Sequence, residues 1–244
     1  MASKSEVGII KNVANYDVFV TEVETMGVIF NPANQSIKTP ALKAKQTACG
    51  NIMAAVIAAT VPATNAINAR EAGFKDIKKM GTRVVNSLES SGAGPEIVKD
   101  AKGFLYKLRG TRITKTSQPT PENPVVKNIS TSQLSYDNIT AHFEMITALV
   151  KGEPKYTPNE TELTVVELEK YVANLKKLTK DVNDTVSALG QLEIDRDDII
   201  YNPATGLSEL TGIVKKYVKS VVGGDDPLYR RLTAIKFTRK KLRK

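Results

Sequence analysis

Tryptophan is absent from this 244-residue chain, and cysteine and histidine occur once each, as Cys49 and His142. A single cysteine excludes an intramolecular disulfide, so apolar packing alone must hold the fold together. Cys49 sits among Thr47, Ala48 and Gly50 and reads as a buried, unreactive thiol. One histidine without a cysteine cluster cannot build a zinc site. His142, between Ala141 and Phe143, reads as a surface or half-buried residue, because acid–base chemistry would need a second positioned group.

Glycine-rich signatures are missing too. Gly92-Ala93-Gly94 and Gly223-Gly224 fit neither a phosphate-binding loop nor a dinucleotide fingerprint, and they read as turns. The acidic run Glu193, Asp195, Asp197, Asp198 lacks the glycine and the closing glutamate of a calcium loop. No catalytic residue, metal, cofactor or small-molecule substrate is therefore expected. The opening residues MASKSEVG carry no apolar leader core. Cytoplasmic residence is the default expectation, and non-classical export would leave no mark in a sequence.

Acidic residues are scarce at one end only. The chain holds 35 Lys and Arg against 26 Asp and Glu, a net charge of +9. Residues 215–244 supply 11 of those cations against Asp225 and Asp226, so the first 214 residues balance. The sequence thus describes a neutral body with a basic end, ordinary in its 41% hydrophobic and 25% charged content.

What is present is helical periodicity, twice over. Tyr16, Phe19, Val20, Val23, Met26 and Phe30 follow the spacing of an amphipathic helix. So do Tyr136, Ile139, Phe143, Ile146 and Leu149, and Asn15-Tyr16-Asp17 aligns with Ser135-Tyr136-Asp137. Phe30-Asn31-Pro32 then aligns with Tyr156-Thr157-Pro158, where Thr157 and Glu160 have capping-box spacing and Pro158 is expected to open the next helix.

A long helix follows in each copy. Leu168, Leu175, Val182 and Leu189 form one heptad row, and Tyr171, Leu178, Thr185, Leu192 and Ile199 a second. A shift of 126 residues places Leu42, Cys49, Val56 and Ala63 on the first row of the other copy. Each copy closes with a third helix, a glycine turn ending at Pro95 or Pro227, and a short last helix, with Asp226 as a cap. The expected fold is all-α: two tandem copies of a roughly four-helix unit, fused into one elongated bundle with long antiparallel helices. Residues 1–110 form the first unit, 111–131 a Pro/Thr/Ser-rich linker, 132–238 the second unit and 239–244 a basic tail.

Residues 46–69 hold no charge at all. A helix polar on no face is expected to be covered on every face. The first long helix should then lie at the centre with the second copy wrapped against it, and Pro62 should kink or break it. The apolar run Ile52–Val61 is half the length of a membrane span and is expected to be core. Arg70 and Arg196 continue the heptad row inward. A buried arginine needs a carboxylate, so Asp17 and Asp137 are their expected partners in structural ion pairs.

Cations gather at two helix ends, Lys107-Leu108-Arg109 with Arg112, and Lys236 with Arg239, Lys240, Lys241, Arg243 and Lys244. Complementing a helix dipole explains two or three of them. The C-terminal group is the candidate contact for an anionic partner such as nucleic acid.

Three further blocks complete the pattern: Val13-Ala14-Asn15-Tyr16, Asn68-Ala69-Arg70-Glu71 with Thr82-Arg83-Val84-Val85-Asn86, and, in the second half, Tyr136-Asp137, Pro158-Asn159-Glu160-Thr161-Glu162-Leu163 and the run Val214–Val221. Over most of its length the chain resembles an uncharacterised bacterial family of tandem-duplicated all-helical proteins. The resemblance implies a bacterial origin and a helical fold, and carries no activity or site residue.

The expected function is that of a non-enzymatic helical interaction or structural protein, binding protein (itself or another) and self-associating. The alternative is a sequence-independent nucleic-acid-associated protein working through its basic end. A helical membrane-acting protein comes third.

Overall fold

A computed structural model describes residues 4–111 and 134–238, with side chains from Gly8 onward. The linker expected at 111–131 and the tail at 239–244 lie outside the described residues, save Thr111. No strand occurs among the described residues, and the chain is all-helical. The helices are α1 (Lys4–Thr25), α2 (Thr39–Phe74), α3 (Ile77–Ser90), α4 (Pro95–Arg109), α5 (Tyr136–Gly152), α6 (Val165–Tyr201), α7 (Leu207–Val222) and α8 (Pro227–Ala234).

The turns follow from their residues. Gly92, Gly110 and Gly223 take φ of +76°, +74° and +91°, the left-handed region that a side chain disfavours, at the ends of α3, α4 and α7. Pro95 and Pro227 open α4 and α8, and the Asp226 carboxylate accepts from the Leu228 N–H at 2.7 Å. One start differs from expectation. Pro158 does not open a helix: a 3-10 turn at Thr161–Leu163 intervenes, and α6 begins at Val165. A matching turn at Gln35–Ile37 precedes α2.

The chain divides into two compact units, and they do not coincide with segments 1–110 and 132–238. One comprises Met1–Pro62 with Val186–Lys244, the other Ala63–Thr185. Both long helices cross the division.

In the first unit, α1 buries Tyr16, Phe19, Val20 and Val23 along one stripe against Leu42 and Cys49 of α2, Leu207, Val214 and Val218 of α7, and Leu232 of α8. The segment after α8 is tied down by side-chain amides. Asn12 donates to the Thr238 carbonyl and accepts from its N–H, both at 2.8 Å, and Asn15 donates to the Lys236 carbonyl at 2.6 Å. Phe237 thereby meets the rings of Tyr16 and Phe19 edge-on.

In the second unit, Val84, Val85 and Leu88 of α3, Ala101, Leu105 and Leu108 of α4, Phe143, Ile146 and Val150 of α5, and Leu168, Val172 and Leu175 of α6 close a second core. α3 packs closely there at Gly81: a Cβ on it would lie 2.6 Å from Leu108 Cδ2 and 3.3 Å from Leu105 Cδ1, so a side chain would have to displace both leucines. Tyr156 donates to the Leu163 carbonyl at 2.8 Å and fixes the turn before α6.

The aligned triplets Asn15-Tyr16-Asp17 and Ser135-Tyr136-Asp137 occupy different places. The first lies in the middle of α1, whereas Ser135 caps α5 and accepts from the Asn138 N–H. Burial aligns Tyr16, Phe19 and Val23 with Phe143, Ile146 and Val150 instead. The two alignments differ by seven residues, two full helical turns, which an i, i+3/i+4 pattern tolerates.

Candidate interaction surface

α2 carries the largest departure from expectation. The buried row is where the heptad placed it, at Leu42, Cys49, Val56 and Ala63. Around that row the uncharged segment is open. Gly50, Asn51, Ala54, Ile57, Ala58, Thr60, Val61, Thr64, Asn65 and Asn68 are all exposed, Ile57 by 64% and Val61 by 59%. Ile52–Val61 is therefore not a core helix, and α2 is not covered on every face. The stretch Thr39–Ser90 is long and apolar enough to cross a membrane, and only 11% of its apolar window is buried.

The physical reason is the size of the side chains. Residues 46–69 include eight alanines, and the two cores are built from large side chains nearer the ends of the long helices. Burying an alanine removes little area, so the hydrophobic gain from covering this segment is small. Pro62 does not break α2, which runs on to Phe74. Nearby, Thr60 Oγ1 donates to the Val56 carbonyl at 2.8 Å.

The expected ion pairs do not form as drawn. Asp17 and Arg70 fall in different compact units, as do Asp137 and Arg196. Asp17 accepts from Gln46 Nε2 at 3.0 Å, near the start of α2, and Arg70 stands about seven turns further along that helix. The Arg70 guanidinium instead lies 4.1 Å from the centre of the Tyr136 ring, a cation–π contact, and its buried Nε has no hydrogen-bond partner among the described residues. Arg196, 7% exposed, takes carboxylates from its own helix: Asp197 at 3.1 Å and Glu193 at 3.9 Å. Asp137 is exposed in the first turn of α5, where its charge complements the helix dipole.

Several of the excess cations serve the fold. Lys215 donates to the Ile235 carbonyl at 2.6 Å and lies against the rings of Phe19 and Phe237. Burial, and then the nearby Lys236, push its pKa below the usual lysine range. Arg231 pairs with Glu22 at 2.6 Å, and Arg230 with Asp225 at 3.2 Å. Lys236 is exposed. Arg239, Lys240, Lys241, Arg243 and Lys244 lie outside the described residues.

Cys49 is fully buried, and burial, opposed by Lys45 and reinforced by Asp17, pushes its thiol up to about 11. Burial and then Lys107 lower the pKa of His142. The acidic residues near Arg196 are engaged: Asp195 accepts from Gln191 at 2.8 Å and Asp198 from Asn202 at 2.9 Å. No group of three or more His, Cys, Asp or Glu able to hold a metal occurs among the described residues. A groove of about 540 Å³ beside α4, edged by Glu89, Val98, Lys102 and Tyr106, is bridged by the Lys102–Glu89 ion pair.

Compared with family models, with curated proteins and with solved structures, the chain finds no match in any of the three.

Proposed function

We propose that this is a non-enzymatic helical interaction protein whose docking element is the uncharged middle of α2. One observation carries the reading: in a chain that is 25% charged, residues 46–69 have no charge yet stand mostly exposed on one helix. The strip exposes Ile57 and Val61 by 64% and 59% among small uncharged residues, so a partner that covers it desolvates no charge. A helix presenting a regular face suits a partner that is itself a helix. The titratable groups support the same view, since Cys49, Lys215 and Arg196 are engaged in packing or ion pairs within the fold.

The architecture belongs to this reading as a duplicated fold. Support comes from the buried rows of α2 and α6, 126 residues apart, from the paired 3-10 turns, and from Gly–Pro junctions before α4 and α8. Each compact unit then joins the first helix of one copy to the third and fourth helices of the other. The bacterial origin rests on the sequence resemblance alone. Binding of nucleic acid through the C-terminal cations is the weaker alternative, because Lys215, Arg230 and Arg231 are already engaged within the fold.

A photo-crosslinking residue at position 57, in the chain expressed in its native host, tests the docking role. Protein adducts should form there and not at position 183, the corresponding exposed site on α6. Equal yields at the two positions would end the proposal.

A further inference from the structure

We infer that the docking face of α2 pairs with the same face of a second copy of this chain, antiparallel, about a two-fold axis near Ala59. The inference rests on the reading above and specifies its partner.

Gly50, Ala54, Ile57, Val61, Thr64 and Asn68 are all exposed and follow one another in alternating steps of four and three residues. That is the a/d spacing of a two-helix seam. The seam lies roughly a third of a turn around α2 from the buried row, so the fold's own packing does not use it. It is a property of one helix and needs no residue from any other element.

Three arguments select a second copy. A chargeless face meeting itself buries no unpaired charge, and a two-fold interface requires such self-complementarity. Run antiparallel, the seam sets Ile57 against Val61, Ala54 against Thr64 and Gly50 against Asn68 of the second copy. Each a position then faces a d position, and smaller residues face larger ones, which keeps the gap between the axes even. The strip from Gly50 to Asn68, about 27 Å long and about 10 Å wide, removes on the order of 500–1,000 Å² from two copies, the range of a weak, reversible pairing. Lipid is a poorer occupant. Asn51 and Asn65, which stand outside the seam, would lose water without gaining partners, and the chain has no tryptophan to seat it at a bilayer surface.

Light scattering coupled to size exclusion on the full chain, from 1 to 200 µM (about two decades around a typical weak dimer constant), should reach twice the 26.6 kDa chain mass. Val61→Arg, and independently Ala54→Lys, should weaken pairing by about 100-fold or more without changing the far-ultraviolet spectrum, since both sites are exposed. In a Cys49→Ser background, Ile57→Cys mixed with Val61→Cys should oxidise to a mixed disulfide faster than either variant alone. A chain monomeric at 200 µM, a dimer indifferent to both charge substitutions, or faster disulfide formation by Ile57→Cys alone would overturn the inference. A monomer that crosslinks another protein from position 57 would leave the docking role standing. A monomer that floats with phosphatidylcholine vesicles, and ceases to after Val61→Arg, would assign the face to lipid.

Discussion

α2 and α6 are nearly the same helix with opposite surfaces. They span 36 and 37 residues, and their buried rows correspond at a shift of 126: Leu42 and Leu168, Cys49 and Leu175, Val56 and Val182. Their exposed positions do not correspond in chemistry. Gly50, Ala54, Ile57, Ala58 and Val61 on α2 match Lys176, Lys180, Asn183, Asp184 and Ser187 on α6. α6 covers its outer face with i, i+4 ion pairs, Lys177 with Asp181 and Lys180 with Asp184. Both helices are solvent-facing there, and only one is made for solvent. The core row sets where a helix sits, and the surface row sets what it can meet.

The largest effect should fall where the two helices agree. Leu42→Ala and Leu168→Ala each empty a fully buried site, and each should cost about 3 kcal/mol in chemical denaturation. A cost below about 1 kcal/mol at either site would break the equivalence of the rows.

The next test exchanges what differs. Giving α2 the five α6 residues, as Gly50→Lys, Ala54→Lys, Ile57→Asn, Ala58→Asp and Val61→Ser, should abolish pairing, with a change in unfolding free energy of the monomer near 1 kcal/mol. Light scattering and thermal melts read the two effects separately. Loss of the folded state would show that the α2 surface serves the fold after all.

A pH effect distinguishes the rows more finely, because Cys49 occupies the place of Leu175. Burial raises the Cys49 pKa from 9.0 to about 11, so the folded state favours the protonated thiol. That contribution is complete below pH 9 and is lost as the pH rises toward 11, an effect on the order of 1–3 kcal/mol. Tyr16, raised chiefly by burial, works in the same direction. Cys49→Ala should flatten the alkaline fall in stability, and a thiol reagent at pH 8 should label the native chain far more slowly than the unfolded one. The smallest effect belongs to the surface of α6. Lys177→Ala should cost less than about 0.5 kcal/mol, the usual worth of an exposed helical pair.

Helical class, the Gly–Pro turns before α4 and α8, and the buried row of α2 with its α6 counterparts Leu168, Leu175 and Val182 are legible in the residues, because a 3.6-residue period and Gly–Pro punctuation are local signals. The Arg70 and Arg196 partners were not legible, since heptad position says that a side chain turns inward but not which helix it meets. The exposed face of α2 has a trace in the composition of residues 46–69. A chargeless run rich in alanine and asparagine offers little area for a core to gain, whereas leucine and isoleucine would offer much.

By itself, then, the sequence determined the helical class, the row Leu42, Cys49, Val56 and Ala63, and the neutrality of 46–69, all properties of residues close together in the chain. Only the tertiary structure decided that α1, the start of α2, α7 and α8 share one core while α3, α4, α5 and the start of α6 share the other. It also left the middle of α2 uncovered. The physical reason is that burial depends on which large side chains can be brought together at once. That is settled by three-dimensional packing among distant segments, where no local period applies.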